Sequence, residues 1–253
     1  MYLSVAVPAS FFSHLSDRLL SFFAYIADQL RQCFVDDNRY LYILEGLKNT
    51  LVITVFAVII GVVLGTLVAL VKVAHTDEPS KFRILNGVCT VYLTVIRGTP
   101  VLVQLMIMYY VILVGTPLSD IMTAILAFGI NSGAYVAEVI RSGIQSIDRG
   151  QMEAGRSLGL SQRTTMVKII FPQALKNVLP AVGNEFIALL KETSVAGYIG
   201  IQDLTKGGDI IRGDTFQAFT PLVSTAAIYL VIVVGLSALL TRFERRLRRS
   251  DYR

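Results

Sequence analysis

The chain has 253 residues, 54% of them hydrophobic, a formal net charge of +5 and a mean hydropathy of +0.62. That is too apolar for an ordinary soluble domain. The basic residues fall at the ends of hydrophobic blocks and form no stripe, which argues for a membrane protein and against nucleic-acid binding.

Charged residues are absent from Asn49 to Val71, Gly98 to Ser119, Ile121 to Ala137 and Thr215 to Thr241. A helix needs about 20 apolar residues to cross a bilayer. The first, second and fourth runs meet this directly, and the third meets it by extending toward Ile140. The expected fold is all-α and polytopic, with about five transmembrane helices.

In chain order, Phe11, Phe12, Leu15, Leu19, Phe22, Phe23, Ile26, Leu30 and Phe34 recur at helical spacing, interrupted by charges. Residues 1–40 therefore read as an amphipathic segment lying in the interface, with a sixth span as the alternative. Nothing at the N-terminus has the basic stretch and cleavage site of a removable signal peptide. The main membrane domain is expected over 41–245. Span one runs from Leu41 to Val73 and carries Gly61-x-x-x-Gly65, a spacing that permits close helix packing in lipid. Lys72 to Arg83 is a polar turn with Pro79. Span two, Leu85 to Val114, is interrupted at Arg97-Gly98-Thr99-Pro100. Span three follows the turn at Pro117 and reaches Ile140.

Next comes a polar, basic elbow within 141–173. Asp148 and Gln151 stand at the N-cap and third position of a short helix, a variant of the capping box. Gly159 supplies a left-handed stop. Ser161 caps a second helix carrying Met166, Ile169 and Ile170, which Pro172 is expected to interrupt. Span four is read from Ala174 to Val195, a polar connection from Gly200 to Phe219, span five from Thr220 to Leu240, and a basic tail over 246–253. Five spans put the termini on opposite sides. With the C-terminus cytoplasmic, fifteen Lys and Arg face the cytoplasm and six face outward, as the positive-inside rule requires. The N-terminus is then outside and the elbow inside.

Charges at membrane depth are the sharpest functional clues, because each is costly unless paired or facing water. Arg97 lies at the break in span two, where proline and glycine release backbone polar groups. The alternative is a kinked helix whose arginine reaches the headgroups. Asn131, Tyr135 and Glu138 share a helix face, with Arg141 placed to neutralise Glu138. Span four carries Glu185 and then Lys191, Glu192, Thr193 and Ser194. These line a polar path or merely pair with other spans. No Walker A pattern occurs, so no P-loop ATP site is expected. Neither a metal cluster nor a nucleophile–base pair stands out, so the chain does not read as an enzyme. Cys33 and Cys89 read as buried thiols, and His14 and His75 as surface residues.

Several segments resemble a known family. Glu153-Ala154-Gly155, Gly159 four residues on, and Ile169-Ile170-Phe171-Pro172 resemble the EAA signature of the membrane subunits of ABC importers. Gly155 stands where alanine is usual and Phe171 where leucine is usual. Glu45 to Leu51, Arg97 to Gln104, Asn131 to Glu138 and Lys191 to Ser194 resemble the polar amino acid permeases of histidine, arginine, glutamine and glutamate importers. Glu192 stands where aspartate is commoner, and residues 1–40 exceed the core pattern. The resemblance spans about Glu45 to Arg245. It implies a type I ABC importer permease in a bacterial cytoplasmic (inner) membrane, working by alternating access. The implied partners are ABC ATPase subunits that bind ATP and magnesium, a second permease subunit (same or related) and an extracytoplasmic amino-acid-binding protein. Glu153, Ala154, Gly155, Ser157, Leu158 and Gly159 become the ATPase-coupling residues. Arg97, Thr99, Gln104, Asn131, Glu138, Glu192, Thr193 and Ser194 become candidates for the substrate path. The readings from other classes are a passive channel or secondary transporter for small polar solutes, and a scaffold subunit that merely docks through the elbow.

Overall fold

The computed structural model describes residues 9–77, 80 and 82–248; the side chains of 9–17, 19, 77 and 248 are outside that description. The expected features at Pro79 and in the tail beyond 248 lie outside the described residues, as do the side chains of Phe11, Phe12, His14, Leu15 and Leu19. All regular structure among the described residues is helical. Helix α1 is Ala9–Leu30, prolonged by a π turn over Arg31–Val35 and a short 3-10 turn over Asp36–Asn38. Then come α2 (Tyr40–Asp77), α3 (Arg83–Gly98), α4 (Val101–Ile107, prolonged by a π turn to Ile112), α5 (Asp120–Gln145), α6 (Arg149–Ser157), α7 (Gln162–Thr165), α8 (Phe171–Glu192), α9 (Leu204–Thr215) and α10 (Phe219–Arg248).

Helices α2, α5 and α10 are long and apolar enough to cross a membrane, and α3 with α4 passes the same test only as a pair bent by 110°, the geometry of a broken span or a re-entrant loop. Helix α8, expected as a span, is long enough at 22 residues but less apolar than the other three. It carries Lys176, Glu185, Lys191 and Glu192, and it packs against α5, α10 and α2. Protein on three sides shields polar groups that a lipid-facing helix could not carry.

The core lies where α2 crosses α5. Thr50, Ile53, Thr54 and Ala57 of α2 are fully buried, at the three-to-four-residue spacing of one helix face. Farther along that face, a Cβ on Gly65 would stand 2.8 Å from both Gly133 O and Ala137 N, and one on Gly61 would stand 2.7 Å from Ser132 Oγ. Gly129 and Gly133 answer from α5 with the same four-residue spacing, against Ile60 and Leu64 of α2. The two backbones approach at distances only glycine permits. Ile53 and Ala57, with Leu105 of α4, Phe128 of α5, Leu189 of α8, and Ala196 and Ile199 beyond it, form the main apolar cluster. Helix α5 is the most enclosed span, with 67% of its most apolar window buried, against 6% for α10.

Two expectations need correction. The connection from Gly200 to Phe219 is not a polar loop: it contains α9, whose Leu204, Gly207, Gly208 and Ile211 are buried. Its glycines serve close packing, since a Cβ on Gly207 would meet Tyr42 O at 2.5 Å and one on Gly208 would meet Thr225 Oγ1 at 2.2 Å. Nor does Pro172 interrupt the helix. A π turn over Met166–Ile170, with Phe171 N–H donating to Met166 O, precedes the proline at the start of α8. Changing the ladder there lets the chain pass a residue that has no donor. In α1, Leu20, Phe22, Phe23 and Tyr25 are exposed.

Gly65→Val should drive α2 off α5 and cost about 1–3 kcal/mol. Thermal unfolding of the detergent-solubilised protein measures it. Gly87→Ala, where nothing lies within 4 Å of the added carbon, should leave the midpoint unchanged or slightly higher.

Candidate functional site

The break in the second span is built by its sequence. Pro100 disfavours helical geometry at the residue before it, and Thr99 is extended at φ −124°, ψ 148°. Helix α3 therefore stops at Gly98. The ends freed there need partners, because lipid offers none. Gln104 supplies them: Nε2 donates to Ile96 O at 2.8 Å, Thr99 O at 3.0 Å and Thr99 Oγ1 at 2.8 Å, sharing its two hydrogens among three oxygens. Its Oε1 accepts from Asn131 Nδ2 of α5 at 3.0 Å. Asn131 is buried, and its own Oδ1 has no hydrogen-bond partner among the described residues. One residue earlier, Ile130 O accepts from the Tyr92 hydroxyl of α3 at 2.6 Å.

Two turns along α5, Glu138 accepts from Nε and Nη2 on one edge of the Arg141 guanidinium, and Arg97 Nη1 lies 3.8 Å from Glu138 Oε2. The Arg97 guanidinium also sits 5.7 Å from the centre of the Tyr135 ring, within cation–π range. The local neutralisation read from the Glu138–Arg141 spacing is present, and a second cation from α3 joins it. Asn131, Tyr135 and Glu138 all turn toward α3 and α4, as their shared helix face requires.

The structure thus brings Thr99, Gln104 and Asn131 together, and Arg97 with Glu138. Glu192, Thr193 and Ser194 stand apart: no hydrogen bond or ion pair joins them to either group among the described residues. Thr193 is fully buried and donates to Leu190 O at 2.8 Å, and Ser194 lines a groove with Lys191, Thr205 and Tyr229. Both begin a 3-10 turn, Thr193–Ile199, that ends at Gly200 with φ +86°. Glu185, named in the sequence as a span-four charge but not among the path candidates, pairs with another span: its Oε1 accepts from Ser132 Oγ of α5 at 3.2 Å. The signal was available, a carboxylate in mid-helix with its neighbouring charges, Lys176 and Lys191, more than one turn away on either side.

The elbow is tightly specified. Asp148 Oδ1 accepts from Gly150 N at 2.6 Å, capping α6. At the other end Leu160 N donates to Gly155 O and Gly159 N to Arg156 O, with Gly159 at φ +79°; this is a Schellman stop. Ser161 Oγ then accepts from Thr164 N at 3.1 Å, capping α7. Gly155 is buried, and a Cβ there would stand 2.5 Å from Thr165 Cγ2, so glycine lets α6 close on α7. Glu153, Ala154, Ser157, Leu158 and Gly159 are exposed, Leu158 at 81%. Of the six expected coupling residues, Gly155 alone is buried. A cavity of about 720 Å3 lies behind the elbow, lined by Val73 and Thr76 of α2, Ile144 of α5, and Met152 and Glu153 of α6, among others.

Residues 61–249 match the family described as binding-protein-dependent transport system inner membrane component. The chain is 39% identical over 211 residues to the putative glutamine transport system permease protein GlnP of Rickettsia bellii, covering 83% of this chain and 94% of the relative. It is 38% identical over 212 residues to the arginine transport system permease protein ArtQ of Bacillus subtilis, again covering 83% and 94%. A crystal structure of an amino acid ABC transporter with histidines superposes with a TM-score of 0.77 at 44% identity, covering 84% of this chain and 98% of that one. An inward-facing MetNI methionine ABC transporter superposes with a TM-score of 0.68 at 20% identity, which speaks to the fold alone. The chain belongs to the binding-protein-dependent inner membrane component family.

Gln104→Ala and Asn131→Ala should each destabilise the detergent-solubilised protein, and the double variant should cost less than the sum of the two. A double-mutant cycle on unfolding midpoints should return a coupling of about 0.5–2 kcal/mol. Additive losses would mean that the bond across the break contributes nothing.

Proposed function

We propose that this member of the family is the transmembrane permease subunit of an ATP-driven importer that moves polar amino acids into the cytoplasm by alternating access. The observation that carries the reading is the elbow. It is capped at both ends, closed by the Gly155–Thr165 contact, and presents Glu153, Ala154, Ser157, Leu158 and Gly159 outward. A rigid projection with an exposed leucine at its tip suits a groove on a separate protein. That protein is an ATPase, which supplies ATP binding, magnesium and hydrolysis. Asp148, which caps α6, follows closely on the C-terminal end of α5, so force on the elbow reaches the span carrying Asn131 and Glu138.

The charge distribution puts the elbow and C-terminus in the cytoplasm and the N-terminus outside. Residues 1–40 lie in the outer interface, 41–245 form the permease domain with its coupling loop at 141–173, and 246–253 form a basic cytoplasmic tail. An extracytoplasmic binding protein delivers the amino acid, and a second permease subunit completes the path. Along it, a zwitterion needs donors for its carboxylate and acceptors for its ammonium. Arg97 supplies donors, Glu138, Glu192 and the Asn131 Oδ1 supply acceptors, and Ser194 supplies either. Thr99, Gln104 and Thr193, whose hydrogens go to Val95 O, to the break and to Leu190 O, hold the path in shape.

The test is ATP hydrolysis in proteoliposomes containing the chain and its ATPase, with and without a binding protein loaded with glutamine or arginine. Wild type should be stimulated. Glu153→Lys and Leu158→Asp should each lose about tenfold or more of that stimulation, the scale of a hot-spot contact. Normal stimulation in both variants would reduce the elbow to a linker.

A further inference from the structure

Asp203 lies in the connection between α8 and α10 and belongs to neither the expected path nor the elbow. It is fully buried, at 0% exposure. Its Oδ1 accepts from Lys206 N at 2.9 Å, capping α9, and its Oδ2 accepts from Gly197 N at 2.7 Å. No cation forms an ion pair with it among the described residues; the Lys206 ammonium turns instead to Asp209, at 2.9 Å. Burial pushes the Asp203 carboxyl above the usual carboxylate range, and the N–H groups of Lys206 and Gly197 pull it back.

A charged carboxylate is an expensive way to cap a helix in this setting. Serine or asparagine caps equally well without bringing a charge into the interior. What only a carboxylate offers is a second acceptor oxygen of equal strength. Here that second oxygen holds Gly197, at the far end of the turn that begins with Thr193 and Ser194. The neighbourhood is shaped around this bridge. A Cβ on Gly197 would stand 3.4 Å from Asp203 Oδ2 and 3.2 Å from Lys206 Cβ. The next residue anchors elsewhere: Leu204 N donates to the buried Thr50 Oγ of α2 at 3.0 Å. Asn49 Nδ2 donates to Gln202 O at 2.9 Å. The segment before α9 is thus fastened to α2, and Asp203 extends that fastening by hydrogen bond to the turn after α8, whose Ala196 and Ile199 also pack with Ile53 and Ala57 of α2.

We infer that Asp203 is a positioning residue: its carboxylate bridges the first turn of α9 and the Thr193–Ile199 turn, and so holds Thr193 and Ser194 in place against α2 and α9. The functional half of this inference rests on the importer reading; the structural half does not. In that reading α9 is on the outer side, where a binding protein arrives, so the bridge makes the polar turn move with the surface that is loaded.

Asp203→Asn separates bridging from capping. Asparagine keeps one acceptor for Lys206 N–H, but presents an NH2 group to Gly197 N–H. Thr50→Val is the comparison, because it unpairs Leu204 N–H and leaves the bridge intact. Hydrogen–deuterium exchange on the purified full-length protein should show faster exchange over 193–199 in Asp203→Asn and unchanged exchange over α9. Thr50→Val should leave 193–199 as in wild type. In proteoliposomes, Asp203→Asn should lower the maximal transport rate by about fivefold. The concentration of loaded binding protein at half-maximal rate should stay within about twofold, since the coupling acts after docking. Unchanged exchange over 193–199 in Asp203→Asn overturns the inference. So does an equal loss of rate in Thr50→Val. If wild type itself shows no response to loaded binding protein, the importer reading fails, and the exchange result alone decides the role of Asp203.

Discussion

The close approach of α2 to α5 is the constraint on which the rest of the structure depends. In a membrane, apolar burial does not drive helices together, so contact must come from packing at short range. Gly61 and Gly65 on one helix and Gly129 and Gly133 on the other let the backbones meet where any side chain would clash. That seam sets the rotation of α5. Once Gly129 and Gly133 face α2, Asn131, Tyr135 and Glu138 turn toward α3 and α4, and Ser132 meets Glu185 of α8. The same seam makes α2 a spine. Its first turns hold α9 through Gly46, where a Cβ would stand 2.4 Å from Asp203 O, and its last turns reach the cavity behind the elbow.

A second constraint works on this frame. A bend of 110° inside a span leaves backbone groups that hydrocarbon cannot satisfy. The chain answers with a side chain placed one turn after the break, so Gln104 completes Ile96 and Thr99 and hands its own carbonyl to Asn131. The polar groups read as candidates for transport are therefore also what allows the break to exist. Removing Gln104 would disturb the backbone as well as the path, so the effects of such variants on transport need a stability measurement beside them.

Much of this was legible in the sequence because it is local. The caps at Asp148 and Ser161 and the stop at Gly159 follow from residue type and spacing over a few positions, and each forms as expected. The break at Gly98 to Pro100 was legible for the same reason. Features that depend on distant partners were not. Gly200 to Phe219 reads as a polar connection, and only the position of Tyr42 and Thr225 shows that Gly207 and Gly208 within it are contact surfaces. Pro172 reads as a stop because sequence rules assume an α ladder, and the π turn changes the ladder before the proline is reached. Asp203 looked like one of several loop aspartates. Its burial and its bond to Gly197 exist only once α9 has folded against α2.

The central claim is that α5 carries a rigid elbow whose tip seats in a separate ATPase, and cross-linking measures that most directly. Cys33 and Cys89, both buried, would be replaced by serine and Leu158 by cysteine. The variant would then be reconstituted with ATPase bearing single cysteines along its surface. The account predicts efficient cross-linking to one groove of the ATPase, and arrest of transport when the bond forms. Free running of transport with the elbow cross-linked nowhere on the ATPase would contradict it.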